Sequence, residues 1–416
     1  MTDDLLSSPA VGTAATDLIQ GCDQPAPAPD APPLPSQPPA FALALSGGGF
    51  RATLAALGVL RFVADAGLLG QVRYVSSVSG GSLANGLFAC RYRELEARML
   101  AADALDELVL RPFMQTISTR SLSGHLLRSL WRAIGPATRT TLLANTFDDW
   151  FFRSQLLEDL PSTVRFIFNA ANVTTGVRFG FERDVLGDWV LGLVTTQGTG
   201  LRVADAAAAS AAVPGAFAPF VLKEVSFPCS RGRTAQLLDG GAYDNMGLEP
   251  VDDFYKEERR DGDEERQDGD VCLVGLNAGG VFQTGAYGGM PIIRDLKRAN
   301  ALLYRQTTAL RMRTMVERFQ AWERARDRRE DPPEWARFGV LFGLATTIDP
   351  TAEWAEGRPD HPELREHLAK VPTSFNAFDT DLSRRLVYRG WWLAGATLSK
   401  FHRGLLPDSL PAWRDL

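Results

Sequence analysis

The chain has 416 residues, 45% of them hydrophobic and 23% charged, which suits a globular protein with a large core. Its 50 Asp and Glu outnumber 44 Lys and Arg for a formal charge of -6, which argues against a nucleic-acid binder, because such proteins are basic.

The start, "MTDDLL", has neither a basic n-region nor a long apolar stretch, so it does not read as a secretory signal. "LIQGCD" around Cys22 loosely resembles a lipoprotein cleavage box, and Asp3, Asp4 and Asp17 speak against that reading. Residues 23–40, "DQPAPAPDAPPLPSQPPA", are rich in Pro, which removes backbone donors and fixes φ, so residues 1–40 are expected to be a disordered arm. No apolar run of about 18 residues follows, so no transmembrane helix is expected, and the expected location is cytoplasmic.

Folding is expected to begin at Phe41. "AFALALSGGGFR" reads as a buried strand entering a tight turn. "ATLAALGVLRFVADAG" sets Leu54, Leu57 and Leu60 on helical spacing and stops at Gly67. "VRYVSSVS" is a strand by composition, and Leu83 to Met99 returns to helix. This alternation of strand, glycine turn and helix predicts an α/β fold with a parallel sheet covered on both faces. Further strands are expected at 163–173, in 234–247 where one runs into a glycine turn, and at 270–280, with a small-residue helix over 205–220 broken by Pro214 and Gly215. The mixed-charge run 256–270 reads as a solvated loop. A long Arg-rich helix is expected from about Ile292 to Arg329, ending before Pro332 and Pro333.

Cys22, Cys90, Cys229 and Cys272 are far apart, with no C-x-x-C pair, so reduced thiols are expected rather than a zinc site or disulfide framework. None of His125, His361, His367 and His402 has an obvious catalytic setting.

Two glycine turns carry the chemistry. In Ser46-Gly47-Gly48-Gly49-Phe50-Arg51, consecutive glycines let N–H groups face a ligand, and the helix behind them adds its dipole. Such a loop suits an anion or a developing oxyanion. Gly47-x-Gly49-x-x-Ala52 also loosely matches a dinucleotide fingerprint, but that motif wants an acidic residue ending the second strand. Here that strand ends at Ser79, and Asp65 lies on the helix. Ser77-Val78-Ser79-Gly80-Gly81 approximates the G-x-S-x-G nucleophile elbow, with Ser77 in place of the first Gly. A Ser hydroxyl needs a base. No His follows a strand, which leaves Asp239, on the Gly240-Gly241 turn of "QLLDGG". It is expected at the same sheet edge as the other turns; a turn-forming role is the alternative.

Together these elements resemble the patatin-like phospholipases. That family has a Gly-rich oxyanion loop with a basic residue, then a G-x-S-x-G elbow, then D-G-[GA]. Here they stand as "SGGGFR", "SVSGG" and "DGGAYDNMG", in that order. "AAAASAAVPGAFAPF" looks like the helix before the Asp strand in these enzymes, and "VPTSFNAF" with "LVYRGWWLAGATL" is similar to their closing helices. "GGGFRA" is also similar to the catalytic domain of cytosolic phospholipase A2 enzymes.

The resemblance implies a three-layer α/β/α fold with a mostly parallel central sheet. It implies a catalytic domain over 41–400, with helical insertions at about 92–160 and 285–345, and a tail at 401–416. It implies a lipid acyl hydrolase of phospholipase A type, with Ser79 as nucleophile and Asp239 as its base, a dyad without His and without cofactor or metal. Gly47, Gly48, Gly49 and Gly80 would supply the oxyanion hole, most directly Gly48, Gly49 and Gly80. Gly81, Gly240 and Gly241 would support the turns, and Arg51 would steady the loop or meet a lipid phosphate. The expected partners are an acyl-lipid substrate and, transiently, a membrane surface. An acyltransferase or thioesterase using the same dyad, or a silent lipid-binding module, remain as alternatives. Residues 108–147 hold five Arg and no acidic residue. Within them Leu126, Leu127, Leu130, Trp131 and Ile134 share a helical face, which suits either core packing or weak docking on an anionic bilayer.

Overall fold

The computed structural model describes residues 40–122, 124–125, 138–252, 271–280 and 291–416. The Pro-rich arm up to residue 39, the Leu126–Ile134 face and the charged run 256–270 lie outside the described residues, and Ala40, expected to end the arm, is instead the buried first residue of a strand.

The strands are β1 (Ala40–Leu45), β2 (Val72–Val78), β3 (Arg165–Asn172), β4 (Val177–Phe181), β5 (Val185–Asp188), β6 (Gly192–Thr195), β7 (Phe220–Leu222), β8 (Ala235–Asp239), β9 (Val271–Asn277) and β10 (Gly339–Gly343). Six helices concern the site: α1 (Gly49–Asp65), α2 (Gly80–Ala97), α3 (Val203–Ser210), α4 (Gly241–Asp244), α5 (Pro291–Arg328) and α6 (Thr380–Phe401). The ends expected for α1 and α5 hold; Gly67, at φ 71, closes α1 while the Leu68 amide donates to Val63.

All strands belong to one sheet, ordered β10-β9-β1-β2-β3-β4-β5-β6, with β8 also paired to β3 and β7 to β8. From β10 to β3 the neighbours are parallel. The apolar run "AFALAL" is buried at every position, as a strand covered on both faces requires. Its side chains alternate between two cores. Phe41, Leu43 and Leu45 belong to the larger one, with Leu54 of α1, Phe88 of α2 and Trp391 of α6. Ala40, Ala42 and Ala44 belong to the smaller one, with Met315 and Phe319 of α5. The layering is therefore α/β/α, as expected.

The sheet is not parallel throughout. β4, β5 and β6 continue it antiparallel, and β8 runs antiparallel to β3. The last β2 pair is Val78 with Asn169, and the last β8 pair is Asp239 with Ala170. Because β4 occupies the other side of β3, β2 and β8 share one edge and meet end to end. The Asp strand thus reaches the site from the opposite direction to the one a purely parallel sheet implies.

α6 holds α1, and with it the glycine loop. A Cβ on Gly58 would lie 2.1 Å from the Val387 carbonyl oxygen, and one on Gly390 would lie 2.0 Å from that of Ala55. The residues after α6 are docked rather than loose: Leu406 and Leu410 are buried, and Trp413 stacks under the Arg61 guanidinium at 4.3 Å. Arg61 itself is buried and donates to Asp106 at 2.7 Å. Cys90 and Cys272 are free thiols, as expected, whereas Cys229 is disulfide-bonded, against the expectation.

Gly58→Ala should cost about 2 kcal/mol, because backbone carbonyls cannot yield as side chains do. Urea unfolding checks this; an unchanged midpoint would show that α1 and α6 are not held at this distance.

Candidate active site

Ser79 sits between the end of β2 and the start of α2, at φ 51 and ψ -116. A non-glycine residue in that region is strained, and such strain persists only where the surroundings over-determine it. Here they do. A Cβ on Gly80 would stand 2.1 Å from the Gly49 carbonyl oxygen, and one on Gly81 would stand 2.2 Å from that of Leu45. Ser77, in place of the usual glycine, does not prevent the turn. Its hydroxyl donates to the Ile167 carbonyl at 3.0 Å and accepts from Asn85 Nδ2 at 2.9 Å, so a polar network takes up the extra atom.

Asp239 and Ser79 are both buried, and the Ser79 hydroxyl lies near enough to the Asp239 carboxylate to lower its pKa as a donor. Asp239 Oδ1 also accepts from the Gly241 amide at 2.8 Å and from the Tyr304 hydroxyl at 3.5 Å. Burial pushes the carboxyl up from 3.8 to about 6, against the pull of these three donors. The turn that follows needs its glycines: a Cβ on Gly240 would lie 2.4 Å from the Asn169 carbonyl oxygen. One on Gly241 would lie 2.5 Å from Tyr304 Cε1.

The glycine loop packs directly on the elbow. The Cβ position of Gly80 lies 2.7 Å from the Gly49 nitrogen, and that of Gly47 lies 3.2 Å from Ser79 Cβ. Gly48 and Gly49 have φ of 147 and 61, where only glycine is unstrained. The Gly47 amide donates to the Asn245 carbonyl at 3.0 Å, so it is spent and does not face a substrate. The amides of Gly48, Gly49 and Gly80 carry no hydrogen bond among the described residues. They stand at the N-termini of α1 and α2, where helix dipoles favour negative charge.

Arg51 is buried and turned towards backbone carbonyls. It donates to the Ala278 carbonyl at 2.9 Å, to the Ala369 carbonyl at 3.2 Å, to the Val371 carbonyl and to Thr373 Oγ1 at 3.1 Å. Burial lowers its pKa to about 10, so it stays cationic at neutral pH. These bonds tie the residue after the glycine loop to Ala278 and to the 369–373 segment, an arrangement that favours bracing of the loop over contact with a lipid phosphate. Asp65 accepts from Trp391 Nε1 at 2.8 Å, a structural bond that gives the dinucleotide reading no support. Among the described residues no histidine touches Ser79 or Asp239; His402 bonds to the Gly339 carbonyl, and His125 and His361 pack on Trp150 and Tyr388.

Three residues of this cluster carry no role in the sequence reading. Ser210 Oγ accepts from the Ser79 amide at 2.9 Å and donates to the Asn169 carbonyl at 2.6 Å. Its own carbonyl accepts from Gly240 at 3.2 Å, so it links the elbow to the Asp turn. The lone hydroxyl in "AAAASAAV" was its signal. Asn245 lies in the quoted "DNMG". Tyr304 comes from α5, 65 positions beyond Asp239, with no local signal.

A raised carboxyl pKa has a sign for stability. The folded state holds the Asp239 proton more tightly than the unfolded chain, so the stability gained from that proton is complete below about pH 4 and lost as pH rises through about 6. Asp239→Asn should therefore be more stable than the wild type at pH 8 by roughly 2–3 kcal/mol, with the gap closing towards pH 4. Denaturant unfolding at both pH values checks this; a variant no more stable at pH 8 contradicts a carboxyl raised by burial.

No curated protein matches the sequence significantly. Among solved structures the chain is similar to human GIVD cytosolic phospholipase A2, at 12% identity over 85% of this chain and 58% of that one, with a TM-score of 0.46. It is similar to the same protein in complex with methyl gamma-linolenyl fluorophosphonate, at 15% identity over 86% and 57%, with a TM-score of 0.44. VipD from Legionella pneumophila is similar at 13% identity over 84% and 66%, with a TM-score of 0.30. The chain thus spans less than two thirds of the length of each of these proteins. The profile of the patatin-like phospholipases matches residues 43–252, half of the chain and the part that holds both glycine turns and Asp239, and the chain belongs to that family.

Proposed function

We propose that the chain is a phospholipase A-type acyl hydrolase working through Ser79 and Asp239. The observation that carries this reading is a strained, buried serine beside a buried carboxylate of raised pKa, which its hydroxyl lowers as a donor. Perturbed groups of this kind cluster where chemistry is done. A silent lipid-binding module has no need of Ser79 at positive φ.

In the first half-reaction Ser79 Oγ bonds to the ester carbonyl carbon, and its proton passes to Asp239. The carbonyl oxygen becomes an oxyanion facing the amides of Gly48, Gly49 and Gly80. Preorganised donors of this sort supply much of a hydrolase's rate. The C–O bond to the lysolipid then breaks, and the leaving oxygen takes the proton from Asp239. In the second half-reaction Asp239 takes a proton from water, whose oxygen attacks the acyl-enzyme. The tetrahedral intermediate collapses to free fatty acid, and Ser79 regains its proton. A base with a pKa near 6 is ionised at neutral pH yet stronger than an ordinary carboxylate.

Contact with a lipid surface is part of the proposal. α5 exposes Leu302, Leu303 and Leu310, with Arg305 and Arg313 exposed beside them, a pattern that suits an anionic interface. Leu302→Ser with Leu303→Ser should lower co-sedimentation with phosphatidylglycerol vesicles several-fold; unchanged binding would remove α5 from the docking surface.

Ser79→Ala and Asp239→Asn should each lower fatty-acid release from phospholipid vesicles by about 10^4-fold. A fluorophosphonate probe should label the wild type and not Ser79→Ala. The wild-type kcat/KM should rise with pH to a plateau with a midpoint near 6, because only the ionised carboxylate accepts the proton. Labelling that survives Ser79→Ala would move the nucleophile elsewhere.

A further inference from the structure

α5 lies wholly beyond the span matched by the family profile, yet it sends one side chain to the dyad. The Tyr304 hydroxyl is 3.5 Å from Asp239 Oδ1, the same oxygen that accepts the Gly241 amide. The Tyr304 ring edge occupies the place of a Gly241 Cβ, 2.5 Å away. The second glycine of "DGG" is therefore what admits the tyrosine to the carboxylate. Burial and the neighbouring carboxylate push the phenol's pKa far up, so it stays protonated and acts as the donor towards the ionised carboxylate.

The surroundings of Asp239 leave few rivals for this part. From the elbow comes the Ser79 hydroxyl, and from α4 the Gly241 amide. β3 contributes the neutral Asn169, whose Oδ1 accepts from Arg178 at 3.2 Å. The last residue of α3 is Ser210, and the turn after it contributes the Ala212 carbonyl, which accepts the Asp239 amide at 3.0 Å. Beyond these, Arg178 pairs with Glu249 at 3.3 Å, and Arg311 of α5 pairs with Glu249 at 2.7 Å and Asp244 at 3.6 Å. These charges are committed to one another, and none contributes to the shift of Asp239.

We propose that Tyr304 is a positioning residue for the dyad: its hydroxyl fixes Oδ1 of Asp239 together with the Gly241 amide, which turns Oδ2 to the Ser79 hydroxyl and steadies the carboxylate's negative charge. Tyr304 neither gains nor loses a proton in the cycle; it orients the group that does. The proposal rests on the Ser79–Asp239 reading.

The test is the pH dependence of hydrolysis by full-length Tyr304→Phe, which keeps the ring against Gly241 and removes only the donor. The acidic limb of kcat/KM should move up by about one pH unit. The plateau kcat should fall about tenfold, with KM within about twofold of the wild type and an unchanged melting temperature. Gly241→Ala, which displaces the ring while keeping the amide, should move the limb the same way. A Tyr304→Phe profile that superimposes on the wild type, or a lower kcat with an unmoved limb, overturns the proposal and leaves the dyad standing, provided Asp239→Asn is inactive. An active Asp239→Asn overturns both.

Discussion

The approach of Ser79 to Asp239 depends on how two strands end. β2 and β8 run towards each other along one edge of β3 and stop at adjacent rungs, opposite Asn169 and Ala170. Each chain must then turn away at once, and each does so on glycine. The side chains at the two tips have nowhere to go but towards each other. The same crowding that brings them together removes water from Asp239 and so raises its pKa.

Close backbone approach recurs at every level around this meeting point. Gly80 touches Gly49, Gly81 touches the end of β1, and Gly58 and Gly390 press α1 against α6. Behind the glycine loop, Arg51 binds the 369–373 segment and Ala278, and the Phe50 amide donates to the Ser374 carbonyl at 3.0 Å. The loop is thus held from the C-terminal third of the chain, which lies beyond the family profile. Preorganised amides are effective only if they do not relax towards the charge they face, and this bracing supplies the rigidity.

Much of this was legible in the sequence because it is local. The strand–glycine–helix units around 46–51 and 77–81 state their own geometry, and the stop at Gly67 follows from its conformational freedom. The direction of β8 was not legible, because strand polarity in a sheet is set by pairing partners, and the long excursion from β3 to Asp239 hides them. The fate of Arg51 was half legible: a basic residue beside a glycine loop suggests an anion, and only the fold shows carbonyls from residues 278, 369 and 371 closing around it. Tyr304 left no trace at all, since a single tyrosine on a long helix resembles any other. Ser210 was visible as an oddity in an alanine run, although its role needed the position of the Ser79 amide.

The central claim is a buried carboxylate that titrates near 6 under the influence of a neighbouring serine hydroxyl. Isotope-edited infrared titration of aspartate-labelled protein observes it without substrate. The account predicts one carboxyl band titrating near 6, absent in Asp239→Asn and moved to higher pH in Ser79→Ala, where a stabilising donor is lost. If no such band is lost in Asp239→Asn, or if the band is indifferent to Ser79→Ala, the pairing on which the site is built does not exist.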